Sequence, residues 1–137
     1  MDDEVATLAL RWIAGWRPGR VGELATLAAP DYVHHTMSGQ DVDFSGFVDG
    51  LERIFTSFPD MRYEVLHSFS EGSYAAVAVV GRATHTGDFL GIRPTGQPVT
   101  FRGITHCRFV EGMLQEDWDV FDLLSPLYRL GASVVMA

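Results

Sequence analysis

A carboxylate can move protons near neutral pH only where its surroundings deny it water, and Asp122 is the first candidate for such a group. The run Met113 to Phe121 alternates like a strand. Counting back in twos puts Asp122 on one face with Val120 and Trp118, and Phe121, Asp119 and Asp117 on the other. The face carrying Trp118 and Val120 reads as the inward one. There Asp122 would have a raised pKa and suit general acid/base chemistry. The competing reading is that Asp122 caps a short helix opening at Leu123.

His106 depends on the turn between the last two strands. With Glu111-Gly112 as a two-residue loop, Trp118 lies opposite Thr105 and His106 points away from Asp122. A three-residue loop with a bulge slips the register by one and brings His106 onto the Asp122 face. Tyr32, His34 and His35 fall where helix gives way to loop, within reach of a cavity rim. His34, His35, His85 and His106 show no recognised ligand spacing and Cys107 is the only cysteine, so no metal is expected. No Gly-x-Ser-x-Gly elbow is present, and no Gly-rich run opens a helix, which sets aside the hydrolase triad and dinucleotide classes.

Helices are expected to come first. Val5 to Trp16, Val21 to Ala29 and a segment from about Ser45 carrying Phe47, Leu51, Ile54 and Phe55 have helical spacing, and Pro18, Pro30 and Pro59 stop them. Asp31 to Thr36 is a short segment leading into a loop. A period of two then takes over in Arg62 to Phe69, Ser73 to His85, Val99 to Val110 and Met113 to Phe121. Gly87 to Gly96 is a loop that could cover a pocket mouth, and Leu123 to Leu130 is a helical tail. This order predicts one α+β domain over 1–137, helices packed on a curved antiparallel sheet. Trp12, Trp16, Phe47, Phe55, Phe58 and Phe89 read mostly as core, with several free to line a pocket for a flat ligand.

The chain has 137 residues, 47% of them hydrophobic, with a formal charge of -8. That charge would repel phosphate backbones and anionic lipid headgroups, so neither nucleic acid nor membrane is an expected partner. Asp2, Asp3, Glu4, Asp41, Asp43, Asp117 and Asp119 read as solvated surface charge. The start at Met1-Asp2-Asp3-Glu4 lacks the features of a secretory signal and the lone cysteine forms no internal disulfide, so the expected location is cytoplasmic.

Several segments then match a family. Thr84-His85-Thr86-Gly87-Asp88-Phe89-Leu90-Gly91-Ile92-Arg93-Pro94-Thr95-Gly96 resembles the "TGTHxGxFLGIxPTG" segment of SnoaL-like polyketide cyclases. Phe58-Pro59-Asp60 resembles their "FPD", Tyr32 through His35 their "YVxH", and Trp118-x-x-x-Asp122 with Leu130-Gly131 their closing "WxxxD…LG". Glu111-Gly112-Met113-Leu114 and Arg129-Leu130-Gly131 depart from the usual "DGKI" and "QLG". The resemblance implies the cone-shaped α+β barrel of the nuclear-transport-factor-2-like superfamily, a homodimer with one pocket per subunit. It implies an isomerase- or lyase-type enzyme that closes a flat, largely apolar polyketide by intramolecular aldol condensation, without cofactor or metal. Asp122 then becomes the expected catalyst, with His35 or His106 assisting, and Tyr32, Trp118, Phe58, Phe89 and Trp16 holding substrate. Epoxide hydrolysis, hydroxylation, isomerisation or plain binding of an apolar ligand are the rival readings on the same fold.

Overall fold

The computed structural model describes residues 4–133, 135 and 136, so the Met1-Asp2-Asp3 start lies outside the described residues. In chain order the elements are α1 (Glu4–Ala14), a 3-10 helix (Val21–Thr26), β1 (Ala28–His35), β2 (Asp41–Val42), α2 (Phe44–Ser57), β3 (Arg62–Glu71), β4 (Tyr74–Thr84), β5 (Pro98–Val110), β6 (Met113–Phe121) and α3 (Leu124–Arg129). The six strands form one sheet in the order β2-β1-β6-β5-β4-β3. It is an α+β architecture with an open sheet. All strand pairs are antiparallel except β1 with β6, so the sheet is mixed.

The second expected helix is a six-residue 3-10 helix, and the segment that follows it is a full strand. Only Val21 and Leu24 of that 3-10 helix are buried. Ala28 and Ala29 already belong to β1, where Pro30 is exposed and tolerated near a strand start.

α1 buries Ala9, Trp12 and Ile13, and α2 buries Phe47, Leu51 and Phe55, each set at three- and four-residue spacing. Asp43 starts α2 by accepting from Gly46 N at 2.9 Å. Trp12 sits between the two helices and β1, with ring centroids 5.2 Å from Phe47 and 5.5 Å from Tyr32. This aromatic cluster fixes the helices over the sheet and sets the height of the space between them.

The segment after α2 explains why the motif residues recur together. Asp60 accepts from the backbone and hydroxyl of Thr84, both at 2.8 Å. Ser57 O accepts from Gly87 N at 2.9 Å, where a Cβ on residue 87 would collide with Thr56 O. His85 accepts from Thr95 N at Nδ1, and the Phe58 ring packs on His85, Phe89 and Phe101. These contacts hold the loop between β4 and β5 against α2. Phe89 and Leu90 thereby reach the cavity described below.

Candidate active site

The register of β6 decides which carboxylates face the interior. Glu111 and Gly112 have φ of +51° and +79°, the left-handed pair of a two-residue hairpin turn, and Val110 pairs with Met113. Phe109 pairs with Leu114, but Arg108 pairs with Glu116, which leaves Gln115 as an extra residue in β6. That bulge inverts the alternation. Leu114 is buried before it, and after it Asp117, Asp119 and Phe121 point inward while Trp118 and Val120 point out.

The expected inward face is therefore corrected. Val120 is 67% exposed, and Asp122 is exposed beyond the strand end. Its carboxylate accepts from Leu124 N at 3.0 Å and Ser125 N at 3.1 Å, so it caps the first turn of α3. Hydrogen bonds from Ser125 and Leu124 hold this carboxyl below its ordinary range. An acid so placed is hydrated and ionised at neutral pH, contrary to the expected dry proton carrier. Asp122→Ala is accordingly expected to lower the melting midpoint slightly, as loss of a helix cap does, and to leave turnover unchanged in a thermal melt and activity assay.

His106 does pair with Trp118, as a slipped register requires, but on the outer face. There His35, Trp118 and His106 stack across three strands, with centroid spacings of 4.7 and 4.8 Å. His35 also contacts Asp41 Oδ1 at 2.7 Å and Glu116 Oε1 at 2.8 Å, and these partners, Glu116 first, raise its pKa. None of these three side chains reaches the cavity, which corrects the expected roles of His35, His106 and Trp118. Adjacent residues on a strand face opposite ways, so His34 points inward where His35 points out.

The cavity itself lies between α2 and the sheet, with a volume of about 440 Å³. Trp16, Phe47, Phe58, Phe89, Phe101 and Phe121 give it a mainly aromatic wall, and His34 and Asp119 supply titratable groups. Trp16, Phe58 and Phe89, expected to hold substrate, are among the lining residues. Gly103, paired with Phe121, leaves room for that ring: a Cβ there would lie 2.3 Å from Phe121 Cδ1. Tyr32 stands behind the wall.

Behind His34 the polar groups form a chain. Tyr32 donates its hydroxyl proton to Asp117 Oδ1 at 2.8 Å, and His34 Nδ1 lies 2.7 Å from the same oxygen. A carboxylate only accepts, so Nδ1 carries the proton. His34 Nε2 is 3.8 Å from Asp119 Oδ2, and the Thr105 hydroxyl donates to Asp119 Oδ1. Burial and then the negative charge of Asp117 push Asp119 up to about 7, against the opposing pull of His34 and Thr105. Burial disfavours the charged His34 ring, yet Asp117 and Asp119 outweigh it and raise its pKa overall.

Asp117 and Asp119, read from sequence as solvated charge, are thus the inward carboxylates. Among the described residues His34, Asp117 and Asp119 are the one group whose donor atoms lie close enough, within 4.8 Å of one another, to suit a cation. Its members are also bonded to one another, His34 Nδ1 to Asp117 Oδ1 at 2.7 Å, while Asp117 Oδ2 is buried without a partner. In chemical terms the group is one carboxyl poised between its two protonation states, in an apolar chamber, backed by an imidazole held by a second carboxylate. No described helix is long and apolar enough to cross a membrane.

The comparisons with known proteins agree with this fold. No curated protein sequence matches the chain. Among solved structures, AclR from Streptomyces galilaeus, described as a candidate hydroxylase, is 33% identical over 93% of this chain and 81% of its own, with a TM-score of 0.86. IdmH from Streptomyces antibioticus, described as a candidate polyketide cyclase, is 26% identical over 93% of this chain and 99% of its own, with a TM-score of 0.85. A SnoaL-like structure from Jannaschia sp. CCS1, 22% identical over 96% of this chain and 94% of its own with a TM-score of 0.85, shares the fold. The family model for SnoaL-like polyketide cyclases matches residues 6–130, so the chain belongs to the SnoaL-like polyketide cyclase family.

Proposed function

We propose that the protein is a small-molecule enzyme that takes a proton from the carbon beside a carbonyl and closes a ring by intramolecular aldol condensation, with Asp119 as general acid and base. The observation that carries this reading is a cavity-lining carboxyl pushed up to about 7, close to the pH at which it must work. As carboxylate, Asp119 removes the α-proton. The enolate carbon then attacks a second carbonyl of the same molecule, and Asp119, now protonated, returns its proton to the oxygen formed there. One group serves both steps, without cofactor or metal. Trp16, Phe58 and Phe89 hold a flat, largely apolar polyketide in its folded form.

The assay uses 2-tetralone, a flat ketone with acidic α-protons. In D2O the protein is expected to accelerate α-proton exchange, followed by NMR; exchange no faster than with buffer alone contradicts proton abstraction. The likeness to AclR favours hydroxylation as the second reading. Incubation of an aromatic polyketide under labelled O2 separates the two, since aldol closure incorporates no label.

A homodimer accompanies this reading. Across the outer face Phe69, Ala76, His106 and Trp118 align in one row, and Ala78, Ile104 and Val120 in the next. Phe69 is 70% and Ile104 52% exposed. An exposed apolar strip of this kind on a sheet face uncovered by α1 or α2 suits a self-complementary pairing of two copies. Ile104→Glu with Val120→Glu is expected to convert the dimer to a monomer in analytical ultracentrifugation. A wild-type chain that sediments as a monomer refutes the pairing.

A further inference from the structure

Two residues that line the cavity, Trp16 and Tyr63, each carry a hydrogen-bond donor that the protein does not use. The Trp16 side chain lines the cavity and is 2% exposed, and its indole N–H has no acceptor. Buried N–H groups almost always have a partner, so an orphan at a cavity wall marks a place where a ligand supplies one. Trp12 Nε1 and His85 Nε2 also lack partners, but neither residue lines the cavity.

Tyr63 lines the same cavity, and its ring meets Trp16 edge to face at 5.2 Å. Among the described residues its hydroxyl has no hydrogen-bond partner. Burial and then the charge of Asp119 raise the pKa of that hydroxyl, so it stays protonated as a donor and lies within electrostatic reach of the base. Phe121, two residues beyond Asp119 on the same face of β6, has its ring centroid 6.4 Å from Trp16 and 6.5 Å from Tyr63. The Trp16 and Tyr63 rings therefore both flank Phe121, the next inward residue of β6 after Asp119.

We propose that the Trp16 indole N–H and the Tyr63 hydroxyl form the oxyanion-binding side of the cavity, donating to the carbonyl oxygen while Asp119 takes the proton beside it. This rests on the proton-abstraction reading and extends it to a substrate class. The substrate is a carbonyl compound whose enolate charge collects on one oxygen, held at the Trp16–Tyr63 wall, with the rest of the molecule lying along the aromatic surface. No electron transfer is involved: the α C–H bond breaks, its pair moves into the enolate, and the two donors stabilise the resulting oxygen charge. Trp16 and Tyr63 act as catalytic residues because they touch the reacting oxygen.

The test uses 2-tetralone for turnover and 2-naphthol against naphthalene for binding. 2-Naphthol imitates the planar enolate, and Asp119→Asn imitates the protonated acid that faces it. Trp16→Phe and Tyr63→Phe are each expected to lower kcat for exchange by about 10²–10³-fold, with KM little changed. In the Asp119→Asn protein the preference for 2-naphthol over naphthalene is expected to fall at least tenfold when either donor is removed. The 15N-labelled Trp16 indole proton, in a protein unaltered at 16 and 63, is expected to move downfield when 2-naphthol binds to the Asp119→Asn chain. An unmoved indole resonance, or an unchanged naphthol preference in the folded variants, overturns the donor assignment. If that happens while Asp119→Asn still abolishes exchange, the base stands and the donors fall. If the donors behave as expected while Asp119→Asn exchanges normally, the base assignment fails instead.

Discussion

Replacing Asp119 by Asn is expected to slow α-proton exchange from 2-tetralone by about 10²–10⁴-fold, the usual share of a positioned acid/base group. The amide is nearly the same size and can still meet the Thr105 hydroxyl, so the fold should persist. It also removes a charge that burial penalises, so the melting temperature should hold or rise above pH 7. In the wild type the basic form is the active one. Activity at low substrate should therefore rise with pH, through an apparent midpoint about 7, and then level off. The same scan applied to Asp122→Asn should give the wild-type curve. Loss of exchange in Asp122→Asn with retention in Asp119→Asn would reverse the assignment.

His34→Leu is expected to destabilise the protein by about 3–5 kcal/mol, because it leaves two buried carboxyl groups without their shared imidazole. Asp117 is fully buried and would keep only the Tyr32 hydroxyl. Adding Asp117→Leu should recover much of the loss, since an apolar pair in place of a buried polar one is often neutral or better. The kinetic sign also follows. His34 holds Asp119 down, so its removal should move the midpoint of the pH–rate curve above that of the wild type. Chemical denaturation and a pH–rate scan of the two variants check both statements.

The two groups also tie stability to pH in one direction. Asp119 and His34 both have folded pKa values above those of the unfolded chain, about 3.9 and 6.5. A raised pKa contributes stability below the unfolded value that is lost as pH climbs through the folded one. Melting temperature should thus decline from about pH 4 to 7 as Asp119 ionises and further above about pH 6.5 as His34 loses its proton, with the Asp119 part absent in Asp119→Asn.

Most of the fold is legible in the chain because hydrophobic period and turn residues report it directly. Glu111-Gly112 gives the hairpin, Pro59 ends α2, and the two-residue alternation of β3 to β6 holds nearly throughout. Val21 to Ala29 misleads, since Leu24 and Leu27 have helical spacing although burial against the sheet draws Ala28 onward into a strand. The cavity wall is also partly legible, as Trp16, Phe58 and Phe89 show.

The polar chemistry was not legible, for one local reason. A single extra residue, Gln115, shifts β6 by one position, and with a period of two that exchanges every inward side chain for its neighbour. Asp122 and Trp118 leave the interior while Asp117, Asp119 and Phe121 enter it, and His106 faces out because Phe109, Cys107 and Thr105 take the inward face of β5. Nothing in the residue types near Gln115 announces a bulge. His34 against His35 is the same problem on β1, where neighbours differ only in which face they take. The usable signal was cross-strand consistency. Tyr32 and His34 alternate as Asp117 and Asp119 do, and that pairing gives the Tyr32 hydroxyl, the His34 ring and both carboxyl groups at least one partner each.

The most direct measurement is a 13C NMR titration of the Asp119 side-chain carboxyl, assigned by its loss in Asp119→Asn. A midpoint about 7 is predicted. A carboxyl that titrates near the ordinary aspartate value of about 3.9 would be a hydrated anion at working pH and would contradict the assigned chemistry.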